Sequence, residues 1–229
     1  MIFTFGDGFA TGHIWPEWPQ ILQALLPDQQ VINTAGIGAG PEFLVSGLID
    51  QLPKIKGHTV IFQWPVPDRF DKLLQDSSWN QIIDNDSKYF FNRIIDTVNR
   101  NWWLSSGSNS IKDYHNHWIQ ADQHWRRLEI YKILVQHTLE NAGCDFYFTS
   151  TMDQDRFSYE PRFSTSRQNQ TQPSPIVHFH WLIEQILPNL HIQIDPKRLT
   201  WLEKKLYSIE WIAFDPEKDS IWENLIHEQ

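Results

Sequence analysis

Met1-Ile2-Phe3-Thr4-Phe5-Gly6-Asp7-Gly8 opens the chain as a short apolar run stopped by a Gly-Asp-Gly turn, and the order of elements after this run decides the fold. A helix is predicted around residues 16–26, with Pro16 near its first turn and Ile21, Leu22, Leu25 and Leu26 on one face. Val31-Ile32-Asn33 reads as a second strand that runs into the glycine-rich turn Gly36-Ile37-Gly38-Ala39-Gly40. Pro41 then starts a helix carrying Phe43, Leu44, Leu48 and Leu52, and Thr59-Val60-Ile61-Phe62-Gln63-Trp64 is a third strand, broken by Pro65 and Pro67. Strands and helices that alternate over short connections imply a parallel sheet covered by helices.

Further along, residues 76–112 mix aromatic clusters with polar runs and end in Ser105-Ser106-Gly107-Ser108, which reads as an insertion with some helix and a flexible tip. From Asp113, an N-cap residue by type, Tyr114, Trp118, Ala121, Trp125, Leu128, Val135 and Leu139 fall on a helical stripe that stops before Gly143. Cys144-Asp145-Phe146-Tyr147-Phe148-Thr149 is a further strand, 150–174 a polar loop, and Pro175 starts a helix presenting Val177, Trp181, Leu182 and Ile186. The tail, 196–229, reads as a helical extension followed by a short strand or staple at Trp211-Ile212-Ala213-Phe214. The expectation is one domain over 1–229: a three-layer α/β/α sandwich around a mostly parallel sheet of about five strands, flavodoxin-like in outline.

Composition narrows the classes of function. The 229 residues hold 21% charged and 41% hydrophobic side chains, which excludes a disordered chain, and no apolar run reaches the roughly 20 residues needed to cross a bilayer. Nineteen Lys and Arg against 28 Asp and Glu give a formal charge of -9, which repels phosphate backbones and anionic membranes, so neither nucleic acid nor membrane is an expected partner. The single cysteine, Cys144, forms no internal disulfide, and the first residues carry no secretory pattern, so a reducing cytoplasm is the expected compartment. Twelve tryptophans supply stiff amphipathic faces suited equally to a core, a protein interface or a sugar ring.

The turn Gly6-Asp7-Gly8-Phe9-Ala10-Thr11-Gly12 resembles the first block of the SGNH/GDSL hydrolases, where a Gly-Asp-Ser turn presents the nucleophile; here Gly8 stands at the serine position. Val31-Ile32-Asn33-Thr34-Ala35-Gly36-Ile37-Gly38 resembles the second block, in which a glycine N–H donates to the oxyanion, a role that falls best on Gly38, with Gly36 the other candidate. Gln63-Trp64-Pro65-Val66-Pro67-Asp68 occupies the place of the family's Gly-x-Asn-Asp, so Pro67 replaces the asparagine donor. Asn169-Gln170-Thr171-Gln172-Pro173-Ser174-Pro175 resembles the late Asp-x-x-His-Pro-Ser-Pro block, with Asn169 for the aspartate and Gln172 for the histidine. Glycine cannot attack a carbonyl, glutamine cannot take its proton near neutral pH, and proline offers no N–H. The resemblance therefore implies a degenerate member without serine-hydrolase chemistry, most like the divergent members carried by bacteriophages, which would place it in a host cytoplasm or a virion.

Other residues carry rival readings. Asp7, His13, Asp68 and His178 are the polar candidates for a rebuilt acid/base site, with Asp153 or Asp155 joining Asp7 and His13 in one version of it; Asp7 more often caps its turn. His178-Phe179-His180 has the side chains of an i, i+2 pair about 200° apart on a helix, so no metal site is expected, and no cofactor. The 36–40 turn lacks both the phosphate-loop and the dinucleotide spacing. Trp15, Trp18, Trp64 and Trp181 are candidates for stacking on a ligand, with core packing as the favoured role. Three functions fit these residues: an inactive scaffold with a binding, structural or host-interaction role toward a protein or carbohydrate, a hydrolase of esters or acetylated glycans with a rebuilt site, and a carbohydrate-binding module.

Overall fold

The structure is a computed structural model that describes residues 1–7, 10, 14–36, 38–65, 67, 71–74, 94–97, 100–104, 121–150, 163–164, 171–172, 174–208 and 212–213. Its centre is a sheet of β1 (Ile2–Phe5), β3 (Val31–Asn33), β4 (Thr59–Trp64) and β8 (Asp145–Ser150), all parallel, in the spatial order β3-β1-β4-β8. The sequence suggests about five strands; among the described residues this sheet has four. β1 and β4 are interior strands covered on both faces, which is why each reads as an unbroken apolar run without alternation.

Two helical layers cover the sheet. On one face α1 (Trp18–Leu25), α4 (Pro175–Trp181) and α5 (Pro196–Ser208) bury Trp18, Ile21, Leu22, Phe179, Trp181, Leu202 and Leu206 together with Ile2 and Ile61. On the other face α2 (Pro41–Ile55) and α3 (Ala121–Asn141) bury Phe43, Leu44, Leu48, Leu128, Val135 and Leu139 against Phe3, Phe5, Val60, Phe62 and Trp64. Successive strand residues point to opposite faces, so each strand feeds both cores.

Local chemistry fixes the element ends. Glu17 and Gln20 form a reciprocal capping box at the start of α1, and Pro19 sits where a missing N–H costs nothing. Ser174 caps α4 by accepting from the Val177 N–H at 3.2 Å. Beyond Trp181 the helix widens into a π-turn over Leu182–Ile186 just ahead of Pro188, which has no N–H to donate to a carbonyl one turn back. Gly143, at φ +65°, ends the α3 turn in a conformation that L side chains resist.

The region read as an insertion over 76–112 is described only in part. Its described part holds β6 (Ile94–Thr97) and β7 (Arg100–Leu104), which join β5 (Asp71–Leu74) in an antiparallel sheet of order β5-β7-β6; the helix and tip expected there lie outside the described residues. This sheet begins at Asp71, before the expected boundary at 76. Residues 113–120 of the long helix lie outside the described residues, as does most of the 150–174 loop, where β9 (Phe163–Ser164) pairs with β10 (Thr171–Gln172). β11 (Ile212–Ala213) pairs antiparallel with β2 (Ile14–Trp15), so the expected strand near 211–214 folds back onto the segment after the first turn. Among the described residues no helix is long and apolar enough to cross a membrane.

Candidate functional site

In a parallel sheet of order β3-β1-β4-β8, the chain leaves β1 towards one side to form β3 and then crosses back to the other side of β1 to form β4. The connections therefore diverge between β1 and β4, and the crevice beyond their carboxyl ends is where open α/β sheets bind ligands. Gly6 and Asp7 follow β1 there, and Gln63, Trp64 and Pro65 close β4.

The first and second turns are tied together by hydrogen bonds. Thr34 donates to the Thr4 carbonyl through both its N–H, at 2.9 Å, and its Oγ1, at 2.8 Å, and the Gly36 N–H donates to the Gly6 carbonyl at 3.0 Å. Asn33 is the hub: its Oδ1 accepts from Thr4 Oγ1 at 3.0 Å and from the Ala35 N–H at 3.1 Å, while its Nδ2 donates to the Ala10 carbonyl at 2.9 Å. The Ala10 N–H in turn reaches the Asp7 carbonyl at 2.9 Å and closes the first turn. Gly6 is required by crowding, since a Cβ there would sit 2.8 Å from the Ala10 Cβ and 3.0 Å from Gln63 Oε1. Gly38 is required by conformation, at φ +77°.

Around that frame the polar side chains are deeply placed. Asp7, just beyond the carboxyl end of β1, is 0% exposed. Gln63 is also 0% exposed; its Oε1 accepts from Trp18 Nε1 at 3.1 Å, and its Nε2 has no hydrogen-bond partner. The Pro67 carbonyl accepts from Arg127 Nη2 at 3.1 Å, which pins the segment after β4 to α3. The start of α2, beyond the glycine turn, is occupied by the protein's own carboxylate: Asp71 Oδ2 accepts from the N–H groups of Gly40 and Phe43.

The structure thus brings the Gly6-Asp7 turn, the Asn33–Gly38 segment and the end of β4 to one end of the sheet. Gly8, His13, Asp68, Asp153, Asp155 and Asn169 lie outside the described residues, and Gln172 is described as a strand residue opposite Phe163 in the β9–β10 ladder. His178 sits on α4, 3% exposed, with neither ring nitrogen hydrogen-bonded, and burial pushes its imidazole down to about 3, so it is neutral at physiological pH. His180 points elsewhere, with Nε2 3.6 Å from Glu203 Oε1 on α5. Among the described residues no three His, Cys, Asp or Glu side chains are grouped to hold a metal ion.

Three of the tryptophans considered for stacking on a ligand are core residues instead. Trp18 and Trp181 meet edge to face, with ring centroids 5.5 Å apart, under the α1–α4 layer. Trp64 packs on Phe62 at 4.3 Å and Phe148 at 5.8 Å on the opposite face, so none of the three offers a ring face to solvent. Trp15 is placed as a strand residue opposite Ile212.

Sequence reasoning did not single out Asn33, Gln63, Asp71 or Arg127 as site residues. Asn33 carried a signal, because asparagine is disfavoured in a strand and here ends one. Asp71 and Arg127 carried none, since their partners lie 31 and 60 residues away. No protein-family model, curated protein or solved structure matches the chain.

Proposed function

We propose that this chain is a degenerate SGNH/GDSL-hydrolase-like scaffold that binds a protein or carbohydrate partner at the β1/β4 crevice and does not hydrolyse esters. The single observation that carries this reading is the state of the described polar groups at that end of the sheet. Asn33 is engaged in holding two turns together, Gln63 is tied to Trp18, and the imidazole of His178, the one candidate histidine among the described residues, is neutral and bonded to neither a hydroxyl nor a carboxylate. A serine-hydrolase mechanism needs an imidazole within about 3 Å of its nucleophile and oriented by a third group. The replacements at Gly8, Pro67, Asn169 and Gln172 point the same way; the same resemblance carries the phage-type origin and a host-interaction or structural role, and the element order carries a fifth strand. A cytoplasmic setting fits the buried thiol of Cys144, whose Sγ donates to the Ile55 carbonyl at 3.1 Å.

A rebuilt hydrolase is the second reading, favoured by the fully buried carboxyl of Asp7 at the crevice. Incubation of the pure protein with a panel of short-chain acyl esters and acetylated sugars separates the two. Release of product at the buffer rate, unchanged by Asp7→Asn, is expected for the scaffold; turnover abolished by that substitution establishes the enzyme.

A further inference from the structure

Asp71 is the first residue of β5, and its side chain is buried at the start of α2. Its Oδ2 accepts from the Gly40 N–H at 2.8 Å and from the Phe43 N–H at 2.9 Å, two donors that the first helical turn leaves without carbonyl partners. Gly40 stands at the N-cap with no side chain to satisfy them, and Pro41 has no N–H, so a carboxylate from a distant segment supplies the cap. The contact is reciprocal, because Glu42 Oε2 accepts from the Asp71 N–H at 3.1 Å. Glu42 Oε1 lies 3.3 Å from Arg127 Nε as an ion pair, and Arg127 Nη2 also donates to the Pro67 carbonyl, so α2, α3 and Pro67 meet around one arginine. β5 lies against α2, while β6 and β7 pair with one another and β7 with β5 in a ladder of their own.

We infer that Asp71 is a latch that docks the β5–β7–β6 sheet on the start of α2, and that this sheet is released from the parallel core as a unit when the latch opens. The ladder within the sheet does not depend on the Asp71 side chain and survives release, whereas the Gly40 and Phe43 N–H groups lose their acceptor at the same moment. Because Gly40 ends the glycine turn bonded to Gly6, docking of the inserted sheet and the state of the β1/β4 crevice are linked. The latch geometry is the same whether the crevice binds or catalyses.

Native-state hydrogen exchange followed by NMR on the full chain tests it, because the amides of Gly40 and Phe43 report the latch directly. In a low-denaturant series on the natural protein, these two amides are expected to open together with those of β5 and β7, before those of β1, β4 and β8. In Asp71→Ala they are expected to exchange at least about tenfold faster, from the loss of bonds to a charged acceptor, with the protection of β1, β4 and β8 unchanged. Asp71→Asn, which keeps an acceptor oxygen without the charge, is expected to fall between. Gly40 and Phe43 amides that stay protected in Asp71→Ala, or that open in the natural protein only with β1, β4 and β8, overturn the inference. If Asp71→Ala does not fold, the denaturant series alone decides.

Discussion

At the scale of single residues, the buried imidazole of His178 makes stability depend on pH. Burial holds it at about 3 in the folded chain against 6.5 ordinarily, so on acidification the unfolded chain takes up a proton first. The stability contributed by keeping the ring neutral is complete above its unfolded value and is lost as pH falls towards the folded one, at up to about 1.4 kcal/mol per pH unit. His178→Leu removes both unpaired nitrogens at similar volume, so it is expected to be neutral or stabilising near pH 7 and increasingly favourable towards pH 5 (urea melts at each pH). A difference from the natural protein that does not change with pH would contradict this. Gly6 answers to packing: Gly6→Ala drives a methyl into Ala10 and Gln63 and is expected to cost about 1–3 kcal/mol in the same assay.

At the scale of elements, caps and buried rings carry the expected losses. Ser174→Ala removes the side-chain acceptor at the start of α4 and is expected to cost about 0.5–2 kcal/mol by thermal or urea unfolding. Trp18→Phe keeps a ring against Trp181 but leaves the Gln63 amide with neither bond inside the core; a loss of about 1–3 kcal/mol is expected, and double replacement with Gln63→Leu should recover much of it. The parallel strands and the helices between them were legible because interior strands have no polar face, so Ile2–Phe5 and Thr59–Trp64 read as apolar runs bounded by turns. β6 and β7 were not, because Ile94-Ile95-Asp96-Thr97 and Arg100-Asn101-Trp102-Trp103-Leu104 do not alternate, and pairing across the sheet is what makes them strands.

Across the whole molecule, the crevice arises from strand order, which local sequence does not encode. Nothing in Gly6-Asp7 or Gln63-Trp64 states that they adjoin; they do so because β3 and β4 flank β1 on opposite sides. The glycines of the first two turns were legible from their spacing, whereas the Asn33 hub and the Asp71 latch depend on contacts between distant segments. On the proposed function, the groups gathered at that end of the sheet bind and do not attack. A fluorophosphonate probe reports an activated hydroxyl directly, by the mass it adds to the intact protein. The expected spectrum is that of the unmodified chain after prolonged exposure at neutral pH; a single stoichiometric adduct on one serine, abolished by heat unfolding before exposure, would contradict it.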